Sequence, residues 1–315
     1  MRYLAALYTD GCGLALQARF GRDAIYSSVG SHILVALNPH KPLPQLYTDD
    51  IKEACEAQPE QPHVFSSVER IYRRALANAG PQSLVVSGES GAGKTETAKL
   101  ALSYLIWRTR HANSDVDELR ALAIGLQQAN PLLEAMGNAS TAHNANSSRF
   151  GRCTRLRIDP AGGALLGGQV QTFLLEKSRI TMFRHSTTAA GQGAPTEGRN
   201  YHCFYQLMAA SKISSSKSMG AGPSGVDFRP FRLGLSAAAY DLTSSAEQLA
   251  SGVAEEADLA AFTTMRIALR AIGVSADEEG TLLAALAAII HLGNVRFAEH
   301  RADGKTGEHC VPTLP

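Results

Sequence analysis

Apolar runs and helical patterns alternate along the first third of the chain. Residues 31–37 and 83–87 are short apolar runs of strand type, whereas residues 49–56, 64–78 and 94–110 have helical composition. The second of these helical segments places Ile71, Ala75 and Leu76 at helical spacing. This alternation predicts an α/β core in which strands are packed against helices.

Two further strands are predicted in the middle of the chain. Residues 154–158 alternate, with Thr154, Leu156 and Ile158 on one face and arginines on the other. The sequence Asp-Pro-Ala-Gly-Gly at 159–163 is a turn signal, and a further strand candidate follows at 169–175. These segments form either a plain hairpin or two strands of a larger sheet, and the pattern allows both.

After about residue 208 the pattern becomes helical. Residues 244–247 and 275–278 have capping-box spacing, and Gly273 and Gly293 are placed as helix stops. Beyond the second cap an apolar stripe repeats at helical spacing and is interpreted as core: Leu283, Leu286 and Ile290.

Three segments are predicted to be loops, and the end of the chain shows no periodicity. Residues 186–198 and 211–225 are rich in Ser, Gly, Ala and Pro, which is typical of mobile surface loops, and residues 111–117 form a third loop. From residue 299 onward no repeat is visible, so an irregular end is expected.

Composition excludes several classes of function. The 315 residues are 44% hydrophobic and 19% charged, which indicates a globular rather than a disordered chain. A formal net charge of +1 gives no electrostatic case for nucleic acid or an anionic membrane. The longest apolar run, residues 282–290, is too short to span a bilayer. The five cysteines have no metal-ligand spacing and are expected to be reduced thiols.

Residues 88–95 carry the most specific chemistry of the sequence. They read Gly-Glu-Ser-Gly-Ala-Gly-Lys-Thr, a complete phosphate-binding loop between a strand candidate and a helix candidate. The glycines let the backbone approach a phosphate, the lysine can reach the β- and γ-phosphates, and the threonine can ligate Mg²⁺. The predicted nucleotide-binding residues of this loop are Gly88, Glu89, Ser90, Gly91, Ala92, Gly93, Lys94 and Thr95.

A polar segment lies about fifty residues further on. Residues 144–151 read Asn-Ala-Asn-Ser-Ser-Arg-Phe-Gly, with two amides, two hydroxyls and an arginine. Alone, such a segment is a polar turn. Together with a phosphate loop, it offers the hydroxyl ligands, amide donors and arginine that a γ-phosphate with Mg²⁺ requires.

An ordered set of further blocks resembles the myosin motor domain. The run at 130–139 leading into residues 144–151 is similar to the segment before the first nucleotide switch of that family. The blocks at 33–39, 174–179, 199–207 and 291–295 resemble other family blocks in family order. The resemblance implies ATP and Mg²⁺ as cofactors, actin filaments as partner and a cytoplasmic, cytoskeleton-associated location. Light chains or calmodulin would bind only through a neck, and no nucleic acid or membrane is implied.

The resemblance also implies roles for individual residues. Lys94, Asn144, Ser147 and Arg149 would serve catalysis, Asn144 by bonding the phosphates and Ser147 beside the γ-phosphate and attacking water. Thr95 and Ser148 would ligate Mg²⁺. Asn38, Pro39 and Tyr47 match positions that line the adenine pocket, although a solvated Pro-rich loop is equally compatible with this segment.

Arg149 would pair with a glutamate of the second nucleotide switch, which the resemblance places several tens of residues beyond the block at 291–295. The 315 residues of this sequence stop short of that position. We therefore expect that Arg149 is unpaired in this chain, that the segment around it is mobile, and that the chain alone hydrolyses ATP poorly.

The predicted fold is a P-loop NTPase core with a mostly parallel central sheet flanked by helices. Residues 1–207 would form this core, 208–298 the helical part of the upper actin-binding subdomain, and 299–315 an irregular end. The predicted function is the nucleotide-binding part of a motor that couples MgATP hydrolysis to movement on actin. The alternative is a truncated or degenerate head that binds nucleotide without productive hydrolysis.

Overall fold

The computed structural model describes residues 12–77, 80–110, 112, 116–181, 198–216, 227–233, 240–243, 252–299 and 310–313. Nine α-helices are described: α1 Cys12–Phe20, α2 Asp49–Ala57, α3 Val64–Leu76, α4 Lys94–Thr109, α5 Val116–Gly137, α6 Ser178–Thr181, α7 His202–Ser216, α8 Gly252–Ala271 and α9 Ala276–Gly293. Eight strands are described: β1 Tyr26–Val29, β2 Ile33–Ala36, β3 Asn138–Thr141, β4 Asn144–Ser148, β5 Gly151–Ile158, β6 Leu165–Phe173, β7 Arg296–Glu299 and β8 Cys310–Thr313. Single 3₁₀ turns occur at Pro44–Leu46 and Arg229–Phe231.

The chain divides into two compact units. One unit is Met1–Ala123 with Arg155–Gln169, and the other is Ile124–Thr154 with Val170–Pro315. The functional boundaries at 207 and 298 do not coincide with this division and stay a prediction.

The core of the first unit forms between α3 and α4. Helix α3 begins at Val64 and buries Val68 and Tyr72. The residues that its spacing predicts for the apolar face are only half-buried, which corrects the prediction: Ile71, Ala75 and Leu76. The rings of Phe65 and Tyr104 stack with their centroids 5.1 Å apart. Strand β5 adds Leu156 and Ile158 to this core, as the predicted alternation requires.

The core of the second unit forms among α7, α8 and α9. The predicted stripe of α9 is confirmed, because Leu283, Leu286 and Ile290 are all buried and pack with Phe262 and Met265 of α8. The capping box at residues 275–278 is also confirmed: Ser275 and Glu278 exchange side-chain-to-backbone hydrogen bonds at the start of α9.

The described strands form four two-stranded sheets, β1–β2, β3–β4, β5–β6 and β7–β8. The pairs β1–β2, β3–β4 and β7–β8 are antiparallel, and no parallel central sheet occurs among the described residues. Residues 83–87 are not a strand, which corrects the prediction. Leu84 and Val85 are 43% and 84% exposed, and the apolar run pairs with no strand among the described residues.

The remaining predictions are corrected or fall outside the described residues. Helix α7 continues to Ser216, so residues 211–216 of the predicted loop are helical. Strand β8 pairs Cys310–Thr313 with β7, so the end of the chain is not wholly irregular. The capping box at 244–247 and most of the loops at 111–117 and 186–198 lie outside the described residues.

The described part of the chain bears on the predicted state of the cysteines and on membrane-spanning helices. Cys55, Cys153 and Cys203 carry free thiols. No helix there is long and apolar enough to cross a membrane.

Candidate nucleotide-binding site

The phosphate loop, residues 88–95, has a backbone that requires glycine. Gly91 and Gly93 have φ angles of +81° and +91°, in the left-handed region that other residues rarely adopt. A Cβ on Gly88 would lie 3.1 Å from the Cβ of Ala92, closer than an ordinary contact. A side chain at Gly91 or Gly93 would therefore strain the backbone, and one at Gly88 would crowd Ala92.

Helix α4 begins at Lys94, within the last residues of the loop, and its N-terminus has no side-chain cap. Gly93 occupies the N-cap position and cannot provide a side-chain acceptor. The first N–H groups of a helix have no partner within the helix, and they carry the positive end of its dipole. This arrangement suits the binding of an anion such as a phosphate.

Lys94 places its charge on the loop itself. Its Nζ donates to the carbonyl oxygens of Gly88 at 2.7 Å and Glu89 at 2.8 Å. The neighbouring Thr95 is exposed. The loop therefore combines an ammonium group, an accessible hydroxyl and glycine backbone within eight residues, and these groups fit a phosphate chain with its Mg²⁺.

The predicted adenine-pocket residues separate into two environments. The Nδ2 of Asn38 donates to the carbonyl oxygen of Gly91 at 2.7 Å, so Asn38 and the half-buried Pro39 lie beside the phosphate loop. The hydroxyl of Tyr47 lies 3.1 Å from that of Tyr26, and its ring contacts the ring of Phe65. Tyr47 is therefore a half-buried part of the first core, and its contact with adenine stays a prediction.

Residues 144–151 belong to the second unit, where strands β3 and β4 form an antiparallel pair. Asn138 lies opposite Ser148 and Ala139 opposite Ser147. The Oδ1 of Asn144 accepts a hydrogen bond from the backbone N–H of Asn146 at 2.9 Å. The polar segment is therefore an ordered hairpin strand rather than an isolated turn.

The two serines of this strand face different surroundings. Ser147 is 4% exposed and its Oγ accepts a hydrogen bond from Nη1 of Arg149 at 3.2 Å, whereas Ser148 is exposed. A buried hydroxyl bonded to a cation and an exposed hydroxyl beside it have the chemistry expected of a phosphate contact and a metal ligand.

Arg149 is not unpaired, which corrects the prediction. Its Nε donates to Oε2 of Glu176 at 2.5 Å. The backbone N–H of Arg149 donates to the carbonyl oxygen of Gly137, and the N–H of Glu176 donates to that of Arg149. A carboxylate 27 positions away thus pairs with Arg149, and the expected mobility of this segment loses its basis.

Sequence reasoning missed three polar side chains that contact residues 144–151: Glu176, Asn138 and His202. Glu176 lies in the block at 174–179, and the signal in the sequence that could identify it is the arginine three residues after it, Arg179. Asn146 accepts from Nδ2 of Asn138 at 2.8 Å and lies 3.0 Å from Nε2 of His202. These contacts join the strand to α7, and no local pattern encodes them.

Comparison with known proteins addresses the family directly. The family model described as Myosin head (motor domain) matches residues 1–310. The chain belongs to the myosin head family. Members of this family are in general actin-activated ATPases that use a nucleotide with Mg²⁺, and the family implies a P-loop NTPase-type motor fold.

Plant myosins are among the similar proteins. The chain is 36% identical to Myosin-15 of Arabidopsis thaliana over 96% of its own length and 18% of that protein. It is 35% identical to Myosin-13 of the same plant over 99% of its own length and 19% of that protein. Identity to Protein OPAQUE1 of Zea mays is 35%, over 94% of this chain and 18% of that protein. The chain therefore spans about a fifth of the length of these relatives.

Proposed function

We propose that this chain is the nucleotide-binding part of a myosin motor, which couples the binding and hydrolysis of MgATP to movement on actin filaments. The observation that carries the proposal is the phosphate loop: glycines at φ angles of +81° and +91° are followed at once by Lys94 and an uncapped helix N-terminus. The match of the family model over residues 1–310 supports the same function.

In this proposal residues 88–95 bind the phosphates, with Lys94 as the cationic contact and Thr95 as a ligand of Mg²⁺. Among the described residues no group of three or more His, Cys, Asp or Glu side chains could hold a metal. Mg²⁺ is commonly held by few protein groups together with substrate phosphates and water, so hydroxyl ligands suit it. Ser148 would be the second hydroxyl ligand.

The remaining roles concern charge and position around the transferred phosphoryl group. Ser147 and Asn144 would donate to phosphate oxygens, and Arg149 would supply positive charge. Hydrolysis of a phosphate anhydride depends chiefly on positioning and on stabilising charge, which these groups can do. Asn38, Pro39 and Tyr47 are proposed for the adenine side. The central parallel sheet and the cytoskeletal location remain part of this proposal.

The test compares the chain with its Lys94→Ala variant in titrations of a fluorescent ATP analogue with Mg²⁺. A charge-assisted contact contributes about 1.5–3 kcal/mol, so we expect affinity to fall roughly ten- to a hundredfold. The control is Lys99→Ala, because Lys99 pairs with Glu96 on the exposed surface of the same helix. Equal affinity of the chain and the Lys94→Ala variant would refute the loop as the site.

A second measurement separates a motor from a binding module. Phosphate release is followed with and without filamentous actin. Turnover that actin stimulates supports the motor ATPase, whereas tight binding without turnover supports a module that holds nucleotide without productive hydrolysis.

A further inference from the structure

Glu176 is fixed through its backbone on both sides. Its N–H donates to the carbonyl oxygen of Arg149 at 2.9 Å, and its own carbonyl oxygen accepts from the hydroxyl of Tyr201 at 2.6 Å. Leu174, two residues earlier, has a φ angle of +54°, which turns the chain after β6. The carboxylate of Glu176 is therefore presented from a constrained backbone.

The side chain of Glu176 is shared by two arginines. Oε2 accepts from Nε of Arg149 at 2.5 Å and from Nε of Arg179 at 3.0 Å, while Oε1 accepts from Oγ of Ser178 at 2.9 Å. Burial raises the pKa of Glu176, but these hydrogen bonds together lower it below its usual value, so the group stays ionised at neutral pH. One carboxylate therefore holds two guanidinium groups in place.

Arg149 links Glu176 to Ser147 by hydrogen bonds. The guanidinium is held at Nε by Glu176 and donates through Nη1 to Oγ of Ser147 at 3.2 Å. A hydroxyl whose oxygen accepts from a cation becomes a stronger donor through its own hydrogen. The direction in which the Ser147 hydroxyl points, and its strength as a hydrogen-bond donor, therefore depend on where Glu176 holds Arg149.

We propose that Glu176 is a positioning residue for the nucleotide chemistry of this chain. It fixes the guanidinium of Arg149, and through Arg149 it orients the Ser147 hydroxyl toward a γ-phosphate. This inference rests on the proposed function, in which Ser147 and Arg149 face the γ-phosphate. Glu176 itself touches no reacting atom.

The test is Glu176→Gln, which keeps the size of the side chain and removes its charge. Affinities are measured for a non-hydrolysable ATP analogue and for ADP, each with Mg²⁺. Because the effect acts at the γ-phosphate, affinity for the analogue should fall by about tenfold, as for the loss of a charge-assisted hydrogen bond, with ADP affinity unchanged. The control Glu255→Gln removes an exposed ion pair with Lys212 in the same unit and should change neither affinity.

A double substitution checks that the effect runs through Ser147. In a Ser147→Ala background, Glu176→Gln should produce no additional loss for the ATP analogue. An additional loss of the same size as in the unchanged chain would overturn the proposal. If Glu176→Gln does not fold, Glu176→Asp replaces it, because the shorter side chain moves the carboxylate away from Arg149 by one methylene. The affinities of this variant for the ATP analogue and for ADP are then compared in the same way.

The remaining outcomes distinguish this inference from the proposed function. Failure of the unchanged chain to bind either nucleotide would refute both. Binding by the unchanged chain with an identical ratio of affinities in Glu176→Gln would refute the positioning role alone. An equal loss for both nucleotides would also refute it, because a merely structural defect does not distinguish ATP from ADP.

Discussion

Asn38 donates its Nδ2 hydrogen to the carbonyl oxygen of Gly91 across 2.7 Å, and this bond joins residues that are 53 positions apart in the chain. A Cβ on Gly93 would lie 4.0 Å from the side chain of Asn38. The segment after β2 therefore packs against the phosphate loop and holds one of its carbonyl groups. A loop of three glycines has much conformational freedom, so an external anchor of this kind lowers the entropy that nucleotide binding must remove.

Removal of this anchor should weaken nucleotide binding. The net contribution of such a hydrogen bond is about 0.5–1.5 kcal/mol, so Asn38→Ala should reduce MgATP affinity by roughly two- to tenfold. The titration with a fluorescent ATP analogue measures it. Gln82→Ala is the control, since Gln82 makes the same kind of bond to the carbonyl of Gly80 outside the loop. Unchanged affinity in Asn38→Ala would show that the bond does not organise the loop.

A second prediction concerns the turn between β5 and β6. Gly163 has a φ angle of +76°, and a Cβ there would lie 2.3 Å from the hydroxyl oxygen of Tyr72, which donates to the carbonyl oxygen of Gly163 at 2.9 Å. Gly163→Ala should therefore combine backbone strain with a steric clash and lower the free energy of unfolding by about 2–4 kcal/mol. Urea denaturation followed by the fluorescence of Trp107, the one tryptophan of the chain, measures this.

Gly30 supplies the matched control for that substitution. It also lies in the first unit with a φ angle of +64°, but a Cβ there would meet nothing within 4 Å. Gly30→Ala should cost only the backbone term of about 1 kcal/mol. Equal losses at the two positions would mean that the contact with Tyr72 contributes nothing.

The elements that the sequence predicts well are those with local causes. The capping box at Ser275 depends on residues three positions apart, and the buried stripe of α9 follows from helical spacing. Strand pairing depends on distant segments. Val85 has strand propensity but is 84% exposed and outside any strand, because propensity alone provides no partner for its backbone.

The candidate site shows the same division. The glycines and Lys94 of the phosphate loop could be predicted, because eight consecutive residues encode that site. The partner of Arg149 could not be predicted, since Glu176 is 27 positions away and the whole of β5 and β6 lies between them in the chain. Sequence spacing carries no information on such a contact.

A third prediction concerns the buried carboxylate of the first core. Glu69 is 0% exposed and accepts from Nε of Arg73 at 2.7 Å, from Nε of Arg108 at 3.0 Å and from the hydroxyl of Tyr104 at 3.0 Å. Glu69→Gln should lower the free energy of unfolding by about 3 kcal/mol, because breaking a buried ion pair leaves charge without its partner. The side chain of Arg108 is only partly buried, so water can solvate its charge in the variant and reduce the loss of stability that comes from this arginine.

The control for Glu69 is a carboxylate with a solvent-exposed partner. Glu96 pairs with Lys99 on the surface of α4, and Glu96→Gln should change stability by less than about 1 kcal/mol. Both variants are compared by urea denaturation at one pH. Similar changes in the two variants would contradict a structural role for the buried network.

The last prediction is a pH dependence of stability that originates at His63. This residue caps α3: its Nδ1 accepts from the N–H of Phe65 at 3.1 Å, and its Nε2 lies 3.1 Å from the carbonyl oxygen of Leu46. Nδ1 must therefore be unprotonated, and Nε2 carries the hydrogen. Burial lowers the pKa of His63 from 6.5 to about 4, against a smaller opposing effect of the hydrogen bond to Leu46.

The sign of the effect follows from the two pKa values. Above pH 6.5 the imidazole is neutral in both the folded and the unfolded chain and contributes no pH dependence. Between pH 6.5 and 4 the unfolded chain binds a proton that the folded chain does not. The free energy of unfolding should therefore fall by up to about 1.4 kcal/mol for each pH unit across this range. Carboxylates also titrate there, so the unchanged chain must be compared with a variant.

His63→Asn isolates the histidine, because asparagine can accept the N-cap hydrogen bond and does not titrate. Urea denaturation at several pH values from 7 to 4 gives the free energy of unfolding of both chains. Other ionisable groups contribute equally to both, so the difference between the chains should be constant above pH 6.5. Below pH 6.5 the free energy of unfolding should fall less in the variant than in the unchanged chain. Parallel profiles down to pH 4 would show that His63 becomes protonated in the folded chain without cost, and the buried cap would then be misassigned.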